Sequence, residues 1–595
     1  MAEAVRGPVC ILAGAGSGKT TTITRRIAQQ VQTNAFAANQ VLAVTFTDKA
    51  AGELRQRLSV LGVSGVRAST FHAAALRQLR HFAPGEVGRI LPTKVMLLRQ
   101  IANRLPAPYK FRPAGDLATE IEWAKNRRIP PAEYDDREPP IPLDLMQRVY
   151  AEYERRKAEE GAIDFEDLLE LAIRLHERDG SVRETFRAQY RAFTVDEYQD
   201  VNLLQATLLD LWLGDRDELC VVGDDYQSIY AFTGAGPEHL LGFPSRFPNT
   251  RVFRLEENYR SSPQVLELAN RLVPRLGGAP KRLRATRPDG PEPVVRPFPS
   301  AADEGEAIVA VLRSLDCPLE EVAVLARTNA RLTDFEELLH DARIPFQGAS
   351  LLEREAARRL CKRLERTASP AAAAVRAAAL EAGWVERLPD KLGEREQVRQ
   401  QDLARLVALA EEFEGDASAF VAGLRERFAP GGDGVHGVHL LTLHRAKGLE
   451  FEAVFLPCLQ EKELPSKQAR TEAELDEERR LFYVGLTRAK RLLWLSWWGK
   501  RSRFVTELGF AATAAPRTPK EDWTPDAQRL RDWRLERARA DNVPPYVVFH
   551  DSVLQAIAAA RPASLGELAQ ISGVGPAKLE RYGEEVLVQL ALVER

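Results

Sequence analysis

An apolar run, Val9-Cys10-Ile11-Leu12, passes directly into Ala13-Gly14-Ala15-Gly16-Ser17-Gly18-Lys19-Thr20 and then into Thr21-Thr22-Ile23-Thr24-Arg25-Arg26, a segment of helical character. Strand, glycine-rich loop and helix in that order leave few folds open, all of them parallel α/β sheets with a loop at a strand's carboxyl end. Glycines let the backbone curl until several N–H groups point inward at phosphate oxygens. Lys19 then reaches the β/γ-phosphates, and the Thr20 hydroxyl is placed to ligate Mg²⁺. Gly14, Ala15, Gly16, Ser17, Gly18, Lys19, Thr20, Thr21 and Arg25 are therefore the expected contacts to a nucleotide. Ala13 stands where the pattern has glycine, which is the smallest change available.

A chain of 595 residues is too long for one core and is expected to hold several domains. With 83 Lys and Arg against 85 Asp and Glu the net charge is -2, so no global basic field attracts a polyanion. Any such partner must be held locally. No signal peptide precedes the first strand and no apolar run approaches the ~20 residues of a membrane span. A cytoplasmic, nucleoid-associated protein without membrane contact is expected. The five cysteines, Cys10, Cys220, Cys317, Cys361 and Cys458, form no CxxC pair. Cys10 and Cys220 sit in apolar runs and read as small buried hydrophobes.

Short β-branched runs alternate with helical patterns in two regions, and each predicts a parallel sheet. The first set includes Val41–Val44, Phe193–Val195 and Cys220–Val222; the second includes Val322–Leu325, Val438–Leu441, Val454–Leu456 and Leu492–Leu495. Between Phe71 and Asp164 the pattern is helical and charged, as in Met146–Lys157, with no strand expected. A second helical stretch, Ala- and Arg-rich, runs from about Leu351 to Pro430 and is closed by Gly431-Gly432-Asp433-Gly434. The expected division is a first α/β domain from residues 1–75 and 163–268 with a helical insertion at 76–162, then a second from 269–345 and 436–510 with an insertion at 346–435. A linker at 511–524 leads to a small helical unit at 525–595.

Asp196-Glu197-Tyr198-Gln199-Asp200 follows the strand Phe193–Val195, which puts two carboxylates at the sheet edge where ligands bind. Asp196 suits a Mg²⁺ ion, and Glu197 suits the orientation and deprotonation of an attacking water. Gln227, in Gly223-Asp224-Asp225-Tyr226-Gln227-Ser228-Ile229-Tyr230-Ala231-Phe232-Thr233, suits a γ-phosphate. Further on come Asn258-Tyr259-Arg260-Ser261, Thr442-Leu443-His444-Arg445-Ala446-Lys447-Gly448-Leu449-Glu450-Phe451, and Glu478-Arg479-Arg480-Leu481-Phe482-Tyr483-Val484-Gly485-Leu486-Thr487-Arg488.

Taken in order, these segments resemble the motif set of superfamily 1 helicases of the UvrD/Rep/PcrA-like group, over about Val9 to Phe504. The resemblance implies two RecA-like P-loop domains with ATP and Mg²⁺ between them. It assigns phosphate to Lys19 and Gln227, metal to Thr20 and Asp196, water activation to Glu197, adenine stacking to Tyr259, charge stabilisation to Arg260 and Arg488 as arginine fingers, and a second-domain nucleotide contact to Glu450. It also places Thr45, Phe46, Thr70, His72, Tyr230, Phe232, Thr442 and His444 along a path for single-stranded DNA, where stacking is worth about 1–3 kcal/mol per base.

Several positions depart from the family pattern. Thr233 replaces a common Arg, and Asp48 stands where Asn is usual. Members usually carry a glutamine segment before the P-loop strand; here Met1-Ala2-Glu3-Ala4-Val5 has none. Either the start is truncated or adenine selectivity rests on Tyr259 and other contacts. The second insertion is short for the family. At the carboxyl end, Arg537 to Tyr582, with Gly573-Val574-Gly575 before Lys578, resembles an HRDC domain, its turn suited either to a DNA phosphate or to protein docking.

The implied activity is an ATP-dependent 3′-to-5′ helicase acting on single strands and single-strand/duplex junctions, in repair, replication or recombination, with repair proteins as further partners. The alternative is an ATP-gated DNA-binding switch or protein-displacing translocase that does not unwind duplexes. A small-molecule kinase leaves everything after Thr442 without a use. A nuclease fusion lacks a carboxylate cluster beyond Phe510.

Overall fold

The computed structural model describes residues 4–112, 114–135, 139–348, 351–386, 394–411, 413–427, 436–510, 524–540, 548–549, 551–571, 574 and 576–591. Gly431–Gly434, nearly all of the linker, and Gly573 and Gly575 lie outside the described residues. The chain forms two compact units, one of Met1–Ala410 with Gly415–Thr513, the other of Glu411–Glu414 with Ala514–Arg595.

The larger unit holds two six-stranded sheets, and every pairing within them is parallel. In the first lobe the strands are β1 (Val9–Ala13), β2 (Val41–Thr45), β3 (Arg67–Thr70), β4 (Ala192–Val195), β5 (Leu219–Gly223) and β6 (Arg251–Leu255). They lie in the order β3-β2-β4-β5-β1-β6. Every residue of β1, β2, β4 and β5 is buried, as expected of strands covered by helices on both faces. Cys10 and Cys220 are fully buried in this sheet, and burial pushes the Cys10 thiol up to about 12.

The second lobe repeats the plan with β7 (Val294–Phe298), β8 (Val322–Ala326), β9 (Phe346–Gly348), β10 (Val438–Thr442), β11 (Phe451–Leu456) and β12 (Ala489–Trp498), ordered β7-β12-β11-β8-β10-β9. Ala15, Tyr226 and Ile229 of the first lobe share an apolar core with Leu443, Leu481 and Tyr483 of the second. The lobes therefore meet through buried side chains as well as through the polar site described below.

Three expectations are corrected here. Helix Phe71–Phe82 runs past the expected boundary at residue 75 and packs in the first lobe's core through Ala75 and Leu79. Phe346–Gly348 is an edge strand of the second sheet, not the start of the insertion. Within the stretch read as strand-free, Arg89–Ile90 pairs with Ala162–Ile163 in a two-residue ladder.

The first insertion has its own core around Leu98, Leu117, Ile121, Tyr134, Met146 and Tyr153. A buried ammonium pins it to the lobe: Lys125 Nζ donates to Asp164 (2.8 Å), Asp167 (2.5 Å) and Glu154 (3.2 Å). The second insertion includes helices Glu355–Leu364, Ala371–Glu381, Glu394–Glu411 and Ala417–Arg427. Arg354 anchors it, donating to Asp402 (2.7 Å), Thr333 (2.8 Å) and Glu336 (3.4 Å).

The smaller unit is helical, with Pro525–Ala540, Asp551–Ala560, Leu565–Leu568 and Pro576–Ala591 around Leu530, Phe549, Leu554, Ile557 and Val586. The Lys578 ammonium stands 5.6 Å from the Phe549 ring centre. No helix among the described residues is long and apolar enough to cross a membrane.

Candidate functional site

The loop after β1 takes its shape from two left-handed glycines, Gly16 at φ 64° and Gly18 at φ 77°. Gly18 is the N-cap of helix Lys19–Gln32, whose free N–H groups and positive dipole end favour an anion. A Cβ at Gly16 would come within 2.6 Å of Asn258 and 2.7 Å of Arg260, so no other residue fits there without moving that segment. Asn258 Nδ2 donates to Ala15 O (2.7 Å) and the Tyr259 amide to Gly16 O (3.0 Å). These bonds set Tyr259 beside the loop with its ring 59% exposed, its hydroxyl donating to Glu257 (2.8 Å). Ser17 Oγ closes the loop on Gly14 O (2.7 Å), while Thr21 accepts from Arg57 and Arg25 is solvent-exposed.

Strand β4 delivers the acids. Asp196 is buried, and burial together with the neighbouring Glu197 raises its carboxyl to about 7. Burial also works to raise Glu197, but the Lys19 ammonium, with Nζ 3.1 and 3.2 Å from its oxygens, outweighs that and holds Glu197 low. A hydroxyl at Thr20 and a carboxylate at Asp196 are hard oxygen donors of the kind Mg²⁺ takes, and a buried carboxylate that shares the Lys19 charge with Glu197 gains from a cation. The donor set therefore fits that ion.

The second lobe supplies cations to the same place. Arg488 is 1% exposed, and its guanidinium donates to Val484 O, Leu449 O, Thr487 Oγ1 and, at 3.1 Å, Gln227 Oε1. Among the described residues no carboxylate pairs with it. Burial, then the nearby Arg260 charge, depresses it to about 9. A buried guanidinium with only neutral acceptors is short of an anion. Arg260 Nε donates to Glu450 Oε2 (2.7 Å) and Nη1 to Thr487 O (3.2 Å), which ties the first lobe to the second. Partial burial raises Glu450, and the Arg260 guanidinium outweighs it and keeps the carboxyl below its ordinary range. Lys19, Glu197, Gln227, Arg260, Glu450 and Arg488 thus converge from both lobes.

Beyond Gln227 lies a cavity of about 730 Å³ whose walls include Trp123, Arg127, Phe232, His239, Arg327 and His444. Tyr230 and Phe232 meet edge-on at 6.0 Å, and Phe232 meets His444 at 6.1 Å. Thr442 ends β10 nearby in sequence and accepts from the Arg445 amide (3.4 Å). Of the other expected nucleic-acid contacts, Phe46 is half-buried against the first core. Thr45 is buried and donates to Thr47 O (3.1 Å), and Thr70 caps helix Phe71–Phe82 by accepting from the Ala73 amide (3.2 Å). Both hydroxyls therefore shape their loops. Thr233 also bonds locally, Oγ1 to Tyr230 O (2.8 Å), and its carbonyl accepts from Asn126 of the first insertion (2.8 Å). Asp48 sits in the first turn of helix Asp48–Val60, where a negative charge suits the dipole.

Three features escape a reading of the sequence. Phe165, 47% exposed, stands edge-on to His72 at 6.0 Å, held outward because Asp164 and Glu166 on either side are buried in ion pairs with Lys125 and Lys94. Burial and the Lys94 charge lower His72 to about 4, so the ring is neutral near pH 7. Lys447 Nζ donates to Asp200 (2.5 Å) and to Gln227 O (2.6 Å) and lies 4.7 Å from the Tyr230 ring centre. Lys281 is buried between Asp224 (2.8 Å) and Asp225 and fixes the start of the loop that carries Gln227.

A P-loop, two strand-end carboxylates and an arginine from each of two parallel-sheet lobes define a two-lobed P-loop nucleoside triphosphatase whose site is completed only where the lobes meet. The UvrD/REP helicase N-terminal domain matches residues 1–248, the UvrD-like helicase C-terminal domain residues 253–364 and 354–500, and the HRDC domain residues 527–589. The chain belongs to the UvrD/REP helicase family. It is 39% identical to the ATP-dependent DNA helicase UvrD2 of Mycobacterium tuberculosis (strain ATCC 25618 / H37Rv), over 98% of this chain and 96% of that one. It is 30% identical to the ATP-dependent DNA helicase PcrA of Bacillus subtilis (strain 168), over 83% and 82%, and 31% identical to UvrD1 of the same mycobacterial strain, over 84% and 83%.

Proposed function

We propose that the protein is an ATP-dependent DNA helicase that moves 3′ to 5′ along a single strand and unwinds the duplex ahead of it. The observation that carries this reading is the junction of the lobes, where the buried Arg488 guanidinium reaches Gln227 Oε1 at 3.1 Å beside the Lys19–Glu197 pair. The triphosphate lies on the P-loop amides and takes Lys19 from Glu197, which frees that carboxylate to orient and deprotonate the attacking water. Tyr259 stacks on adenine, and Arg260 and Arg488 face charge that develops on the transferring phosphoryl group. Thr20 and Asp196 would hold Mg²⁺, which when bound would neutralise phosphate charge. Because Arg488 comes from the second lobe while Lys19 and Arg260 come from the first, the γ-phosphate draws the lobes together and its loss relaxes them.

Phe232 and His444 at the cavity, Tyr230 against Phe232, and His72 and Phe165 on the first lobe present rings on which unpaired bases stack. Unpairing costs about 1.4 kcal/mol per step and stacking returns about 1–3 kcal/mol per base, so melting is offset and ATP is required for direction. Strand displacement with ATP on duplexes bearing a 3′ or a 5′ single-stranded tail tests this. Unwinding from the 3′ tail alone is expected. Unwinding only from the 5′ tail overturns the polarity, and none from either favours a switch or translocase.

A further inference from the structure

A cavity meant for a polyanion should not be walled by carboxylates, since each opposes the phosphates it meets. Glu474, Glu477 and Glu478 nevertheless stand on this one, all on helix Glu472–Leu486 of the second lobe. Two of them have evident local work. Glu474 forms the capping box of that helix, and Glu478 takes the Arg327 guanidinium at 2.8 Å and the Ser466 amide at 3.0 Å. Glu477 instead reaches into the first lobe, where its Oε1 accepts from the backbone amide of Ala231 at 2.9 Å.

That bond is one of a set. One turn along the same helix face, Arg480 Nε donates to Ser228 O at 2.8 Å, and Lys447, also of the second lobe, donates to Gln227 O at 2.6 Å. The main chain from Gln227 to Ala231 is thus gripped at three points by the other lobe. Its near end carries the side chain that meets Arg488, and its far end carries Tyr230 and Phe232. The helix that holds Glu477 and Arg480 leads directly into Thr487 and Arg488, so one rigid element touches both the nucleotide site and the aromatic loop. On its other side the loop is tied to Lys281 through Asp224 and to Asn126 through Thr233 O, which gives it fixed points to bend between.

We propose that Glu477 is a positioning residue that transmits lobe movement to the Tyr230–Phe232 loop by holding the Ala231 amide, with Arg480 as its companion on Ser228. The proposal rests on the helicase reading above. Only the acceptor oxygen matters for this task, because the donor is a neutral backbone N–H. Loss of the bond should leave the hydrolytic groups in place while the loop follows the second lobe less closely, which separates ATP use from strand movement.

The experiment measures base pairs displaced and ATP consumed in the same reaction on a duplex with a 3′ tail, for wild type, Glu477→Ala and Glu477→Gln. One hydrogen bond of net worth about 0.5–1.5 kcal/mol corresponds to about two- to tenfold. Glu477→Ala is expected to displace fewer base pairs per ATP by that factor, with its single-strand-stimulated ATPase rate changed less than the unwinding. Glu477→Gln, whose amide oxygen accepts the same N–H, should restore the wild-type ratio. The proposal fails if Glu477→Ala keeps the wild-type ratio, if ATPase and unwinding fall in parallel, or if Glu477→Gln falls as far as Glu477→Ala. Wild-type protein that consumes ATP on single strands yet displaces none would overturn the helicase reading together with the proposal.

Discussion

The two lobes of the larger unit are built on the same plan, six parallel strands each, yet they bring different side chains to the edge where they face one another. The first offers a glycine loop, Lys19 and two strand-end acids, Asp196 and Glu197. The second offers Arg488, buried with neutral acceptors only, and Glu450, which takes Arg260 across the junction. A repeated fold has thus been divided into a half that can hold a nucleotide and a half that can complete its chemistry. On the function proposed above, the first half binds the nucleotide and the pair couples its hydrolysis to lobe movement.

The largest effects should come from breaking the first half. Lys19→Ala should cut ATP turnover by on the order of 10²–10³, the usual loss for one preorganised donor, and leave the melting temperature within a few degrees of wild type. A steady-state ATPase assay with a thermal scan of the same sample reads both. If turnover persists, the loop after β1 is not the phosphate site and the division of labour is misdrawn.

A smaller effect is expected where the comparison passes from nucleotide to DNA. Phe232→Ala removes a ring that faces both the cavity and His444 of the second lobe. Single-strand affinity should fall by about 5- to 150-fold, the equivalent of 1–3 kcal/mol of stacking, with DNA-free ATPase unchanged. Fluorescence anisotropy with a labelled oligonucleotide measures this; an unaltered affinity would return Phe232 to the role of a packing residue.

The smallest effect separates the lobes by stability. His176, fully buried in the first lobe, meets Gln78 Oε1 at 2.6 Å, and burial, then Arg187, lowers it from 6.5 to about 4. The unfolded chain therefore binds a proton that the native lobe refuses, and stability is full above the unfolded value and declines as pH falls toward the folded one. Between about pH 6.5 and about pH 5 His176 should contribute a loss of roughly 1.5 kcal/mol, read by urea denaturation of the protein, and His72, lowered in the same direction, adds a loss of the same sign. His176→Gln should make that slope shallower by its own share, whereas an unchanged slope would place the titration elsewhere.

Much of this was legible in the order of residues, for definite reasons. β1, β2, β4, β5 and β8 are buried along their whole length, and β10, β11 and β12 over most of theirs, so each carries a run of apolar residues that marks it. Edge strands do not: Arg-Ala-Ser-Thr in β3 and Arg-Val-Phe-Arg-Leu in β6 are partly solvated and carry no such run. The P-loop and the acids after β4 follow local geometry and stand out by spacing. Arg260 and Arg488 do not, since nothing local distinguishes them from surface arginines, and only the resemblance of their surroundings singles them out. Contacts such as Lys447 to Gln227 O or Glu477 to the Ala231 amide join residues more than two hundred positions apart, and no spacing rule encodes them. Phe165 escaped because its neighbours Asp164 and Glu166 look like a solvated turn, whereas the fold buries both in ion pairs and leaves the ring outside.

The most direct test of the divided site compares binding with hydrolysis in Arg488→Ala, using a fluorescent ATP analogue for the first and ATPase with saturating single-stranded DNA for the second. With the first lobe untouched, nucleotide affinity should stay within a few-fold of wild type while turnover falls by about 10³ or more, as for other arginine fingers. Wild-type DNA-stimulated turnover in Arg488→Ala would contradict the account, because the second lobe would then stand outside the chemistry.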